Sequence, residues 1–245
     1  MKKFIIGCSG FHYKHWRGKF YPEKLAVKNW FEFYCQHFST LELNVTFYRF
    51  PKLSTLQQWH DRAPDDFIFS VKVPRSITHF KKLNDTSRMV EDFYGLVREG
   101  LKEKLGSVLF QFPPNFLASD IHIQRLIESV DPSFENVAEF RHASWWNEHV
   151  ISKLGERQIA FCGMSHPDFP DSVVGNTGHL YYRMHGRERL YASDYSEQEL
   201  SDVLDQIDGV PGIKRAYVYF NNDVLGRATE NAGTLIQLAA NRDVR

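Results

Sequence analysis

The chain is poor in cysteine, has no long apolar run and carries no excess charge of either sign. Its three cysteines, Cys8, Cys35 and Cys162, are an odd number, and no two form a Cys-x-x-Cys pair. That count argues against a disulfide framework, and a reducing, cytoplasmic location is expected. Thirty Lys and Arg cancel thirty Asp and Glu, so any charged partner must be met by a local patch. No stretch approaches the roughly 18 apolar residues of a membrane span. The run Phe4-Ile5-Ile6-Gly7-Cys8 is too short for a signal peptide, and no membrane association is expected. Low-complexity segments and linkers are also missing, which suits one domain over residues 1–245.

What is present is a repeating alternation of strand and helix patterns. Strands are expected at Phe4–Cys8, Thr40–Asn44, Phe67–Lys72, Ser107–Gln111, Val137–Arg141, Ile159–Gly163, Leu180–His185 and Ala216–Asn221. Helices are expected from Pro22 to about Phe38, and from a Ser54 cap over Leu56–Arg62. Another runs from Thr86 or Ser87 to Leu105, with Gly106 as its stop. A Ser119 cap starts one to Val130, and a Ser144 cap one to Leu154. A Ser196 cap starts one to Ile207, and the last spans Glu230–Asn241. Eight strands alternating with helices predict an α/β fold, a single-domain (β/α)8 TIM-type barrel. The competing doubly wound sheet lacks its phosphate loop, because Gly7-Cys8-Ser9-Gly10 is no G-x-G-x-x-G.

The strands carry polar residues at one parity. Thr40, Glu42 and Asn44 share a face of the second, Ser70 and Lys72 of the third, and Ser107 and Gln111 of the fourth. Glu139 and Arg141 share a face of the fifth, Tyr181, Arg183 and His185 of the seventh, and Tyr217, Tyr219 and Asn221 of the eighth. The outer face of a barrel meets helices and must be apolar, so this polar set points into the barrel or its mouth. Burying unpaired charge costs several kcal/mol per ion. The charges must therefore pair among themselves in a closed ion network or face a wet ligand site. Glu42 and Glu139 against Lys72, Arg141 and Arg183 leave one surplus positive charge, which with forked arginine donors suits a carboxylate or phosphate.

Glu42, Glu139 and His185 come from different strands and are also a conceivable metal set. Lys72 and the arginines compete for the same carboxylates and there is no His-x-His pair, so neither metal nor cofactor is expected. His79 and His142 read as loop or packing residues. Trp16, Tyr48 and Trp145 read as core or rim, and His12 and His15 stand beside Trp16 in the first loop. Asn221-Asn222-Asp223 can cap the turn after the last strand, and the helix beyond it can offer amide donors to an anion.

Several stretches together resemble the YecE-like family, domain of unknown function 72. These are Ile6-Gly7-Cys8-Ser9-Gly10-Phe11 with Trp16-Arg17-Gly18-Lys19-Phe20-Tyr21-Pro22, Glu42-Leu43-Asn44-Val45-Thr46-Phe47-Tyr48-Arg49, and Ser70-Val71-Lys72-Val73-Pro74-Arg75 with Thr78-His79. Leu109-Phe110-Gln111-Phe112-Pro113-Pro114, Glu139-Phe140-Arg141-His142 with Ser144-Trp145, Arg183-Met184-His185-Gly186 and Tyr219-Phe220-Asn221-Asn222-Asp223 continue the likeness. Cys8 and Phe11 stand where the first motif has Thr and Trp, a matter of local packing. The resemblance implies a (β/α)8 barrel and no settled activity.

The leading expectation is an enzyme with hydrolase-like acid/base chemistry on a polar, anionic or phosphorylated small ligand. Glu42, Glu139 and His185 are its candidate catalytic residues. Asn44, Lys72, Gln111, Arg141, Arg183 and Asn221 are its candidate binding residues. Two alternatives stay open. One is a nucleic-acid partner met by Arg49, Arg75, Lys81, Lys82 and the aromatic rim; the other is a non-catalytic ligand-binding or scaffold barrel. The oligomeric state is unknown.

Overall fold

A computed structural model describes residues 2–242; Met1 and residues 243–245 of the expected domain lie outside it. The strands are β1 (Lys3–Ser9), β2 (Thr40–Leu43), β3 (Ile68–Lys72), β4 (Leu105–Gln111), β5 (Asn136–Glu139), β6 (Ile159–Phe161), β7 (Gly163–Ser165), β8 (His179–Met184) and β9 (Arg215–Phe220). The helices are α1 (Trp30–Cys35), α2 (Val45–Tyr48), α3 (Leu53–Arg62), α4 (Ser87–Leu101), α5 (Asp120–Ser129), α6 (Glu148–Glu156), α7 (Glu197–Gly209) and α8 (Ala228–Arg242).

Every ladder between these strands is parallel, in the order β6-β5-β4-β3-β2-β1-β9-β8-β7. β6 and β7 flank Cys162 and are two halves of one wall position, the first paired with β5 and the second with β8. Eight wall positions, with helices between all but β7 and β8, make the expected (β/α)8 barrel. At the junction the Asn176 side chain stands in for a missing strand. Its Oδ1 accepts from the Phe161 amide at 2.9 Å and its Nδ2 donates to the Ile159 carbonyl at 3.0 Å.

Two packed layers follow from strand alternation. Inside the barrel lies a small cluster of Ile5, Leu109, Val137, Ala160, Cys162, Tyr181, Tyr217 and Tyr219. The larger cluster joins outward strand residues such as Val71, Phe110, Ala138, Tyr182 and Val218 to the helices. In α4, Val90, Phe93, Tyr94, Val97 and Leu101 recur at helical spacing and form its buried face. Gly7 lies where the β1 and β2 backbones meet, and an added Cβ would stand 2.5 Å from the Thr40 carbonyl oxygen.

Several local expectations are corrected. The helix expected over Pro22–Phe38 shrinks to a 3₁₀ turn at Val27–Asn29 and the six residues of α1. Aromatic packing takes the preceding segment, with Tyr21 stacked on Trp30 at 4.6 Å. α3 begins behind Lys52 and α6 behind Asn147, neither at the expected serine. Ser144 accepts from the Ala118 amide at 2.8 Å instead. α4 ends four residues early because Lys102 turns to a φ of 48°, which frees Gly106 to join β4. Ser119 and Ser196 cap as expected, the latter in a full capping box with Glu199. Among the described residues, no helix is long and apolar enough to cross a membrane.

Candidate functional site

All nine candidate residues sit at the C-terminal ends of the strands, where barrel folds place their chemistry. Glu42 and Arg183 lie within β2 and β8; Lys72, Gln111 and Glu139 are the last residues of β3, β4 and β5. Asn44, Arg141, His185 and Asn221 follow within two residues of a strand end. The shared parity of these positions in the sequence therefore becomes a shared location.

The lower part of the barrel is an aromatic plug. The Tyr219 hydroxyl lies 2.6 Å from Thr40 Oγ1 and donates to Ser70 Oγ at 2.9 Å. Above it the Tyr181 hydroxyl donates to Glu42 Oε2 at 2.7 Å. Arg183 then bridges the two carboxylates, with Nη2 donating to Glu42 Oε1 at 2.6 Å and Nη1 to Glu139 Oε2 at 2.7 Å. Arg141 Nη2 lies 2.5 Å from Glu139 Oε1. Glu42, Glu139 and His185 are fully buried, and Arg183 is 1 % exposed. This is the ion network foreseen as one alternative: two carboxylates against two guanidiniums, neutral as a unit. Burial works to raise the Glu139 carboxyl, but Arg141 and Arg183 hold it well below the usual carboxylate range.

His185 is locked into the same network. Its Nε2 accepts from Arg141 Nη2 at 2.9 Å, and since a guanidinium only donates, that nitrogen carries the lone pair. The proton is then on Nδ1, which lies 3.1 Å from Asn221 Nδ2, and the Asn221 amide turned over presents its oxygen to that proton. Burial and the two neighbouring arginines push the imidazole well below its ordinary pKa and keep it neutral.

Above the network is a cavity of about 500 Å³ lined by Asn44, Lys72, Gln111, Arg141, Arg183 and Asn221, with Tyr13, His15, Tyr48, Tyr191, Asp223 and Val224 around them. Lys72 is 8 % exposed, and its Nζ sits 4.0 Å over the ring of Phe47. Among the described residues its ammonium makes no ion pair and no hydrogen bond, because the arginines already hold both carboxylates. Burial, then Arg183, lower its pKa from 10.5 to about 7, against the opposing pull of Glu139 and Glu42. The buried Arg141 Nε and Asn44 Oδ1 also lack partners.

The family model described as "Protein of unknown function DUF72" matches residues 5–244. The chain belongs to this family. Among its relatives is the UPF0759 protein YunF of Bacillus subtilis (strain 168), 24 % identical over 251 residues covering 89 % of each chain. The crystal structure of a DUF72 family protein from Thermotoga maritima superposes with a TM-score of 0.87 at 30 % identity, covering 97 % of this chain and 99 % of that one. A DUF72 family protein from Enterococcus faecalis shares the fold, with a TM-score of 0.78 at 20 % identity over 97 % of this chain and 95 % of that one.

In this DUF72 barrel some of the mouth escapes a reading by strand parity. Tyr13 and Tyr191 come from loops, the latter with a φ of 63°. Asp223 was expected to cap a turn. It instead accepts from Trp16 Nε1 at 2.5 Å and pairs with His15 at 2.7 Å, tying the first loop to the last. Trp16 and Trp145 are core, whereas Tyr48 is rim at 66 % exposure. Among the described residues no group of three or more His, Cys, Asp or Glu is placed to hold a metal.

Proposed function

We propose that the barrel mouth binds a small anionic molecule and acts on it by proton transfer, as an enzyme. The observation that carries this reading is the buried, unpaired ammonium of Lys72 facing a roomy cavity beside Arg141. A cation removed from water without a counter-ion is costly, and a ligand carboxylate or phosphate repays that cost. The division of labour differs from the sequence expectation. Glu42, Glu139 and His185 have no exposed surface and each contacts an arginine, which suits them to hold Arg141 and Arg183 in place. Lys72, titrating near neutrality, takes the acid/base role. Gln111, Asn44 and Asn221 orient the ligand.

Ligand binding raises stability as the ligand concentration passes its dissociation constant. Phosphate or a phosphorylated metabolite should therefore raise the melting temperature more than chloride at equal ionic strength. Lys72→Met with Arg141→Met should remove the difference; equal shifts for all anions in the parent protein would overturn the reading.

One observation favours the nucleic-acid alternative as a second reading. Arg75 lies over two exposed rings on the rim, 5.6 Å from Tyr48 and 5.4 Å from Phe80. Such a platform suits unpaired bases. Anisotropy of a labelled oligonucleotide with Arg75→Ala tests it, and no binding by the parent protein would dismiss it.

A further inference from the structure

We propose that Lys72 captures a carbonyl substrate covalently, its amine condensing with the ketone or aldehyde of a small 2-oxo acid in the barrel mouth to form a Schiff base. This deepens the anion-site reading and rests on it.

The described residues include two buried lysines, and they are treated differently by the fold. Lys104 donates to the carbonyls of His60 and Ala63, each at 2.8 Å, and is spent on structure. Lys72 has no such partner. Its four-carbon stem is buried, its Nζ rests on the face of Phe47, and its open side is the cavity. The two carboxylates close enough to influence it are turned away by Arg183 and Arg141. An amine desolvated in this way and flanked by other cations is the arrangement that holds lysine in its nucleophilic form. Its lowered pKa, about 7, fits that arrangement.

The anion site supplies the second half of the recognition. A carbonyl adjacent to a carboxylate has both groups within a few bonds, and the Arg141 guanidinium lines the same cavity as Lys72. In the reaction the amine lone pair attacks the carbonyl carbon, a C–N bond forms, and the carbonyl oxygen takes a proton to give a carbinolamine. The C–O bond then breaks, and the oxygen leaves as water with the two hydrogens the amine supplied. The resulting C=N bond takes one proton from solution to become the iminium. No electrons are gained or lost.

The full chain is incubated with pyruvate or glyoxylate and cyanoborohydride, which reduces any imine to a stable secondary amine, and is then mapped by peptide mass spectrometry. One adduct per chain is expected, on Lys72, with labelling near pH 7 roughly tenfold or more above any other lysine because ordinary lysines titrate above pH 10. Neutral acetone should label it far less. Lys72→Arg should lose the adduct. If that variant fails to fold, the position of the adduct in the parent protein still decides. Labelling spread over surface lysines, or none, overturns the proposal. Thermal shift with the same 2-oxo acids and with phosphate, without reductant, separates the two levels. Stabilisation without trapping leaves the anion site standing and removes the Schiff base. Neither stabilisation nor trapping removes both.

Discussion

Arg183 donates to Glu139 across the barrel at 2.7 Å, and neither side chain has more than a trace of exposed surface. Such a contact contributes through the charge it neutralises. With Glu139→Gln, Arg141 and Arg183 keep their charge in a dry site, and a loss of about 3–5 kcal/mol is expected. Adding Arg141→Met should recover part of it. Because the Glu139 pKa is depressed in the folded state, its contribution is present above the unfolded carboxylate pKa and fades as pH falls toward the folded value. Denaturant melts of the single and double variants check this, and a loss near zero would mean a solvated network.

Lys72 gives a pH signature of the same sign in a higher window. Its pKa falls from 10.5 to about 7 on folding. Between those values the unfolded chain holds a proton that the folded chain has released, so this group makes stability rise with pH across that window. Below about 7 both states are protonated and the folded state carries the whole penalty. Lys72→Met should then be more stable than the parent at pH 6 by up to about 5 kcal/mol, one pKa unit being about 1.4 kcal/mol. The gap should close toward pH 10; chemical denaturation at three pH values measures it.

Tyr181→Phe removes the hydroxyl that donates to Glu42 Oε2 at 2.7 Å and leaves a buried carboxylate oxygen short of a partner. A cost of about 1–3 kcal/mol is expected. A neutral result by thermal melting would mean that water replaces the hydroxyl.

Gly7→Ala tests the inner wall. Its Cβ would meet the Thr40 carbonyl oxygen at 2.5 Å and Thr40 Cγ2 at 2.9 Å. Backbone on that side cannot rotate away, so β1 and β2 must separate, at about 1–3 kcal/mol. Urea denaturation of the variant reads the loss directly.

Most strands were legible because period-two alternation survives in them, and parity alone was enough to bring Glu42, Lys72, Glu139, Arg141 and Arg183 together. Who pairs with whom was not legible. Arg183 meets Glu42 from 141 positions away, and the surplus charge falls on Lys72 only because the arginines win both carboxylates. The first helix failed for a similar reason. Trp16 is drawn toward Asp223, 207 positions distant, and the segment behind it follows aromatic packing rather than its own periodicity. The split at Cys162 left no mark, since Ile159–Ser165 reads as one apolar run.

That split makes Asn176 a keystone of the wall. The free side of Ile159–Phe161 offers an amide and a carbonyl, and the Asn176 side chain occupies both. Ile159, Ala160 and Phe161 are buried, so no solvent replaces a lost partner there. A leucine at 176 would keep the bulk and strand both groups, and the barrel would open first at this seam, with the Phe161 amide exchanging its hydrogen before those of the neighbouring strands.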